Sequence, residues 1–241
     1  MKKILEIHDL VLEINDKTLL DIKNLDFFSG VSVFFCGTSG SGKTLLLKAM
    51  AKKIKYRGKI NRKGKLETLF HQTSFFSNTV SDELHFLLLD DFQREIVFRF
   101  LNEDILEQNP NKIDYESKNL LLFCKAFVEG PDIVFVDEVM SFLNYENQKK
   151  VLEYAKEKNI TLVSVSKNIE EALSYDYIIV MDQGSIAIEG KTLQVLQEEK
   201  ILKRLGIGLP FYVDLSIQLK LYGLLPNICL SKEEMMEALW K

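Results

Sequence analysis

The chain has 241 residues, the size of one large domain or of a domain with an appendage. Its 46% hydrophobic and 27% charged residues sit near the globular average, which excludes a disordered tail or a coiled coil as the main architecture. The 31 Lys and Arg against 35 Asp and Glu leave a net charge of −4, so the strongly basic footprint of a general nucleic-acid binder is missing.

Met1-Lys2-Lys3-Ile4-Leu5-Glu6 meets charge too soon to form the apolar core of a signal peptide. Val31 to Cys36, bounded by Gly30 and Gly37, reads as a buried strand, and Lys43 to Lys53 as a helix with Leu45, Leu46, Ala49 and Met50 facing inward. Lys48 to Lys65 carries nine basic residues and no acidic one, as expected of a solvated helix end followed by a hairpin; a contact with an acidic partner is the other reading. Val80 to Val128 is mostly helical, with a turn near Asn109-Pro110-Asn111. Ile133 to Val136, Ile160 to Val165 and Tyr177 to Met181 read as strands. Helical sequence between the first two gives the βαβ pattern of a parallel sheet with helices on its faces. After Gly190 the character changes: Leu202 to Lys241 is broken by Gly206, Gly208, Pro210, Gly223 and Pro226. Ser231-Lys232-Glu233-Glu234 then forms a capping box that opens a last helix through Trp240. No run approaches ~18 consecutive apolar residues, so no membrane span is expected. The three cysteines (Cys36, Cys124, Cys229) have no C-x-x-C spacing, which argues against a small zinc site or a disulfide framework and fits a reducing cytosol.

Gly37-Thr38-Ser39-Gly40-Ser41-Gly42-Lys43-Thr44 matches G-x-x-x-x-G-K-[ST], with a strand before it and a helix after it. The glycines let successive backbone N–H groups turn toward phosphates, and the helix N-terminus adds positive potential. Lys43 can reach the β- and γ-phosphates, and the Thr44 hydroxyl can ligate Mg²⁺. Ile133-Val134-Phe135-Val136-Asp137-Glu138 supplies the carboxylates such a loop needs: Asp137 for the Mg²⁺ shell and Glu138 to polarise an attacking water.

A phosphate loop followed by Asp-Glu at this distance resembles the ATPase domains of ABC transporters. On that resemblance Leu69-Phe70-His71-Gln72 is the Q-loop, with Gln72 sensing Mg²⁺ and water, while His71 is a packed loop residue. His8 and His85 have no metal-like spacing and receive no role. Leu205 to Phe211, Leu219 to Gly223, and Leu230 to Glu234 are similar to the tail of the ATPases of energy-coupling-factor (ECF) vitamin and metal importers. The resemblance implies an α/β P-loop NTPase of ABC ATPase fold: a RecA-like core, an antiparallel β-subdomain and a helical lobe at about 80–127. It places the ATP-binding domain at 1–200 and a small helical element at 201–241. It also implies ATP and Mg²⁺, head-to-tail pairing with a second ATPase subunit, a transmembrane coupling subunit docked near the Q-loop, and a substrate-binding membrane component. No nucleic acid is implied, and the location is the cytoplasmic face of the cell membrane.

The sequence departs from that family in four places. The register set by Pro131 puts Ile113-Asp114-Tyr115-Glu116-Ser117 where Leu-Ser-Gly-Gly-Gln belongs, and no glycine occurs between Gly64 and Gly130. Tyr115 would block the approach to a partner's γ-phosphate, and Asp114 and Glu116 add like charge, roughly 3 kcal/mol per pair at ~5 Å and an effective dielectric of ~20 before screening. Lys167 stands where a histidine contacts γ-phosphate and water; a lysine has no acceptor. It can instead pair with Glu138. Ser141-Phe142-Leu143-Asn144 ends the D-loop pattern in an amide rather than a carboxylate, and Ile14 replaces the aromatic that stacks on adenine. The leading reading is the ATP-binding subunit of an ECF-type importer, a reduced ATPase whose site rests on the Gly37 to Thr44 loop, Asp137, Glu138, Gln72 and Lys167. Two other classes stand beside it: a non-hydrolysing, nucleotide-gated scaffold paired with an active ATPase, and a soluble P-loop kinase or DNA-associated ATPase.

Overall fold

The computed structural model describes residues 2–70 and 74–240. Strands β1 (Lys3–Ile14) and β2 (Lys17–Phe28) form a long antiparallel hairpin. Its two-residue turn, Asn15-Asp16, has φ of 50° and 60°, which these short polar side chains tolerate and which matches the strand twist. β3 (Ser32–Cys36) leads into α1 (Lys43–Met50). β4 (Arg57–Arg62) returns to the far side of β1, pairing Ile60 with Ile7, so the first sheet has the order β2-β1-β4.

The next strand, β5 (Leu66–Phe70), leaves that sheet for another. The helical region holds α2 (Val80–Leu84), α3 (Asp91–Phe100) and α4 (Tyr115–Val128), each started by a side-chain cap from Thr79, Asp90 or Asp114. β6 (Ile133–Asp137), α5 (Tyr145–Glu157), β7 (Thr161–Val165), β8 (Tyr177–Asp182) and β9 (Ser185–Lys191) complete the second sheet, in the order β5-β6-β7-β3-β8-β9. All its pairs are parallel except β8 with the edge strand β9.

Continuous apolar runs in β3, β6, β7 and β8 follow from burial on both faces. Side chains alternate between two cores. Phe34, Val134, Val136, Leu162, Ile178 and Val180 pack with Phe123 and Phe127 of α4 and Val151 and Tyr154 of α5. On the other face Val33, Phe35, Phe135, Val163, Ile179 and Met181 pack against Leu46, Leu47 and Met50 of α1 and against Leu5, Ile7, Leu20 and Phe27 of the β1–β2 hairpin. The chain closes with α6 (Thr192–Leu196), α7 (Glu199–Arg204), α8 (Phe211–Leu221) and α9 (Lys232–Leu239). Leu202, Ile207 and Val213 belong to the first core, while Leu225, Cys229 and Met235 form a small core of their own.

Three local expectations need correction. The helix expected over Lys43 to Lys53 stops at Met50, because Lys52 takes a left-handed φ of 57°. The basic stretch does not form a hairpin: β4 pairs with β1 and β5 with β6, since Ile60 and Leu69 bury against different cores. Ser231 caps α9 by accepting from the Glu234 N–H, but the Glu234 carboxylate accepts from the Leu230 N–H rather than closing the box on Ser231.

Candidate functional site

The carboxyl ends of β3, β6 and β7 lie side by side, and each delivers one piece of the site. From β3 comes the loop Gly37–Thr44. Gly37 has φ of 143°, and a Cβ there would lie 2.2 Å from the Met181 carbonyl oxygen. Gly42 has φ of 101° and precedes α1 with no side chain capping that helix; a Cβ would lie 2.7 Å from Leu20. Only glycine satisfies both positions. The loop is braced by the Ser41 N–H donating to Thr38 O at 3.1 Å and by the Gly184 N–H donating to Ser41 O at 3.0 Å. Its Ser39, Gly40, Gly42, Lys43 and Thr44 line an open cleft of about 280 Å³ together with Glu138, Val165 and Lys167.

Lys43 is 7% exposed and folds back over the loop, donating to Gly37 O at 2.7 Å, Thr38 O at 2.9 Å and Ser41 Oγ at 3.1 Å. Burial pushes its ammonium below the ordinary lysine range; nearby Lys167 acts in the same direction, against the carboxylates of Glu138 and Asp137. Cys36, immediately before the loop, has its thiol pushed up to about 12 by burial, so it is inert packing.

From β6 come Asp137 and Glu138. The Thr44 hydroxyl donates to Asp137 Oδ1 at 3.1 Å, which places two hard oxygens together beside the phosphate loop. Burial raises the Asp137 carboxyl above the usual range, with Glu138 adding to it and the Thr44 hydrogen bond opposing. Glu138 adopts a left-handed φ of 61°, a conformation that costs a non-glycine residue on the order of 1 kcal/mol or more. Its N–H donates to Val165 O at 2.9 Å, which pins it against the end of β7. From β7 comes Lys167, whose Nζ lies 3.1 Å from Glu138 Oε1. The ion pair anticipated from the sequence is therefore formed, with both side chains still partly open to solvent. Gln72 and His71 lie outside the described residues.

The stretch Ile113 to Ser117 opens α4, with Asp114 as its cap accepting from the Ser117 N–H at 2.9 Å. Burial pushes the Asp114 carboxyl up, but its hydrogen bonds from Ser117 outweigh this and leave it below the ordinary range. Tyr115 is 46% exposed and meets Phe142 edge-on, with ring centroids 5.0 Å apart. Glu116 turns inward and accepts from the Asn144 N–H at 2.7 Å and from Asn147 Nδ2 at 2.8 Å. Asn144 in turn caps α5. Ile14 is 52% exposed at the end of β1. Sequence reasoning missed two features: the bond between the Ser141 and Ser166 hydroxyls, 2.9 Å apart, and the inward role of Glu116. The small polar residue directly after the apolar β7 run was the available signal for Ser166.

A strand, glycine loop and helix carrying a buried lysine, with two carboxylates at the end of β6 two places along the same sheet, define a phosphate-binding nucleotide site. The family model described as ABC transporter matches residues 20–141, half of the chain. The chain belongs to the ABC transporter family, as an ATP-binding domain. Among curated proteins it is 28% identical over 180 residues to the energy-coupling factor transporter ATP-binding protein EcfA1 of Halalkalibacterium halodurans, a match spanning 69% of this chain and 65% of that protein. It is 26% identical to EcfA of Pediococcus pentosaceus over 97% of this chain and 95% of the relative. Among solved structures, CbiO1 of Clostridium perfringens, described as part of the ABC transporter complex CbiONQ, superposes with a TM-score of 0.73 at 18% identity, over 85% of this chain and 95% of that one. At that identity the superposition speaks for the ABC ATPase fold.

Proposed function

We propose that the chain is the ATP-binding subunit of an ECF-type importer, and that it binds Mg-ATP on its phosphate-loop face and hydrolyses it slowly. The observation that carries this reading is the convergence of Lys43, Thr44 and Glu138 on one cleft at the carboxyl edge of the sheet, with Asp137 hydrogen-bonded to Thr44 beside it. The Gly37–Thr44 backbone and the uncapped N-terminus of α1 cradle the phosphates, and Lys43 exchanges its three loop oxygens for phosphate oxygens. The Thr44 hydroxyl and the Asp137 carboxylate suit Mg²⁺, which prefers hard oxygen ligands and would neutralise phosphate charge there. Gln72 joins that set on the family resemblance. Glu138 orients and polarises the attacking water, in a reaction whose catalysis is mostly positioning and charge stabilisation.

Lys167 makes this site unlike an efficient one. It can meet the γ-phosphate only in competition with Glu138, and its ammonium has no lone pair with which to hold water. What Lys167 cannot supply, a neutral group that orients water and γ-phosphate together, sets the deficit at the scale of general acid–base effects, about 10²–10⁴-fold. The alternative reading, a scaffold that binds ATP without hydrolysing it, is favoured by the same ion pair.

The names of the relatives support a membrane-transport setting, and among the described residues no helix is long and apolar enough to cross a membrane itself. The partners proposed are a second ATPase subunit with an intact glycine signature, a transmembrane coupling subunit and a substrate-binding membrane component, met at the cytoplasmic face of the cell membrane. The substrate proposed is a vitamin or other micronutrient, bound by the membrane component rather than by this chain. A net charge of −4 gives no support to a nucleic-acid partner. Calorimetry with Mg-ATP tests the binding half of the reading. Wild type should bind, and Lys43→Ala, melting at a similar temperature, should lose at least about 100-fold in affinity, the loss of several charge-assisted hydrogen bonds. Equal affinities would remove the phosphate loop from the site.

A further inference from the structure

Lys48 to Lys65 carries nine cations and no carboxylate, so the net charge of −4 divides into +9 over this stretch and −13 over the rest of the chain. The stretch runs from the last turn of α1, through the connection after it, and along β4 to the start of β5. β4 is the edge strand of the first sheet, with a neighbour on one side only. Seven of the nine cationic residues are exposed. Arg57 pairs with Glu13, and Lys65 pairs with Glu129 at 2.5 Å. Lys52, Lys55, Lys59, Arg62 and Lys63 form no ion pair with any described residue. The fold thus gathers like charges on one side and leaves most of them without a counter-charge, a distribution that attracts an anionic partner.

The composition of the face selects among anionic partners. A protein–protein interface is built around a buried apolar or aromatic anchor, and there lysine is depleted while arginine is enriched. Here seven of the nine cations are lysine, and no large apolar side chain between Lys48 and Lys65 is exposed. Ile54 and Tyr56 pack against the core, and Ile60 is buried in it. A layer of lipid headgroups needs no such anchor, only cations within a screening length of its surface. The position of the face agrees with a membrane. Lys53 donates to Thr68 Oγ1 at 2.8 Å, and its ammonium lies 4.4 Å from the centre of the Phe70 ring, in the strand that runs toward Gln72. Thr68, Phe70, Phe76 and Glu129 line an open groove there, so Lys53 and Lys65 stand at its rim.

We infer that the Lys48–Lys65 face rests on anionic lipid headgroups and holds the chain with this groove toward the bilayer. The inference rests on the membrane-transport reading above and not on the nucleotide site.

Flotation of the whole chain with vesicles tests it, one set of phosphatidylcholine alone and one containing about 30% phosphatidylglycerol to give a negative surface. Wild type should float with the anionic set only. It should lose that binding between about 0.1 M and about 1 M salt, as the screening length falls from ~10 Å to ~3 Å. Lys55→Gln, Lys59→Gln and Lys63→Gln together should weaken binding about 100-fold, each cation near such a surface being worth about fivefold. The same charge removed from α5, by Lys149→Gln, Lys150→Gln and Lys156→Gln, should cost less than about threefold, because α5 packs on the opposite face of the second sheet from α1. Both triple variants should bind Mg-ATP as wild type does. Equal losses from the two triples would show a response to net charge rather than to this face, and would overturn the inference. Binding to a polyglutamate peptide without binding to the anionic vesicles would also overturn it, giving the face to an acidic protein segment. Calorimetry with Mg-ATP on the same chains separates the two claims. A wild type that binds Mg-ATP and ignores the anionic vesicles sinks the lipid contact alone; one that floats with them and binds no Mg-ATP sinks the proposed function and keeps the contact.

Discussion

After β3 the chain turns through Gly37–Thr44 with glycines at positive φ, a buried lysine folded over carbonyl oxygens, and an uncapped helix beginning behind it. At the start of α4 it turns through Ile113 to Ser117 with an aspartate already capping the helix, a half-exposed tyrosine ring and a glutamate. Both are helix N-termini, where backbone N–H groups attract anions. Among the described residues no side chain caps the first; at the second Asp114 does, with the half-exposed Tyr115 ring next to it. Glu116 is also committed, to the Asn144 N–H and to Asn147, so it braces the D-loop region rather than a ligand. The same local fold element is thus kept open for phosphate in one place and closed in the other. Being in the family does not give a chain both halves of a shared site.

The largest effect expected on the open half concerns hydrolysis. In the assembled transporter, with the partner's own catalytic glutamate disabled, Glu138→Gln should leave ATP binding intact and remove what phosphate release remains, by at least about 100-fold if general-base assistance is lost. Lys167→His should raise release about 10-fold or more, since a neutral imidazole can accept as well as donate. Brisk wild-type turnover that Lys167→His leaves unchanged would show that Lys167 is no deficit.

A smaller effect separates the helical region's stability from the site. Glu83 is almost buried and is hydrogen-bonded to the Lys125 ammonium and the Ser77 N–H. Burial pushes its carboxyl up, but those bonds outweigh it and hold it below the ordinary glutamate range. Its contribution is therefore fully present above about pH 4.5 and is lost as pH falls through the depressed folded value. Lys125→Met should cost about 1–2 kcal/mol at pH 7, less than for a fully buried pair because Lys125 is partly exposed, and clearly less at pH 3. Urea titrations at the two pH values measure it; a cost that grows on acidification would contradict the assignment. The smallest effect expected concerns the base. With half-exposed Ile14 in place of a stacking ring, ATP and GTP should differ in affinity by less than about 10-fold, given that base–aromatic stacking is worth ~1–3 kcal/mol. Competition between the two nucleotides would reveal any other group that reads adenine.

What the sequence made legible was local. The phosphate loop is eight contiguous positions, and β3, β6, β7 and β8 are unbroken apolar runs. Their neighbours in the sheet were not legible as pairs. β4 and β5 follow each other closely, yet Ile60 joins Ile7 and Leu69 lies in β5 beside Val136, contacts between residues far apart in the sequence. Within the site, Lys43, Thr44, Asp137 and Glu138 could be read from motif and spacing, and the Lys167–Glu138 pair from chemistry. The left-handed backbone of Glu138, the Ser141–Ser166 bond and the two bonds to Glu116 could not be read, because each depends on segments that meet only after folding.

The contrast between the two helix starts is tested most directly by the mass of the isolated chain in solution with Mg-ATP, measured by light scattering on Glu138→Gln so that bound ATP persists. The account predicts a monomer with and without nucleotide, because a second copy would bring Asp114 and Tyr115, rather than a glycine pair, to the γ-phosphate. An ATP-dependent dimer of this chain alone would contradict it.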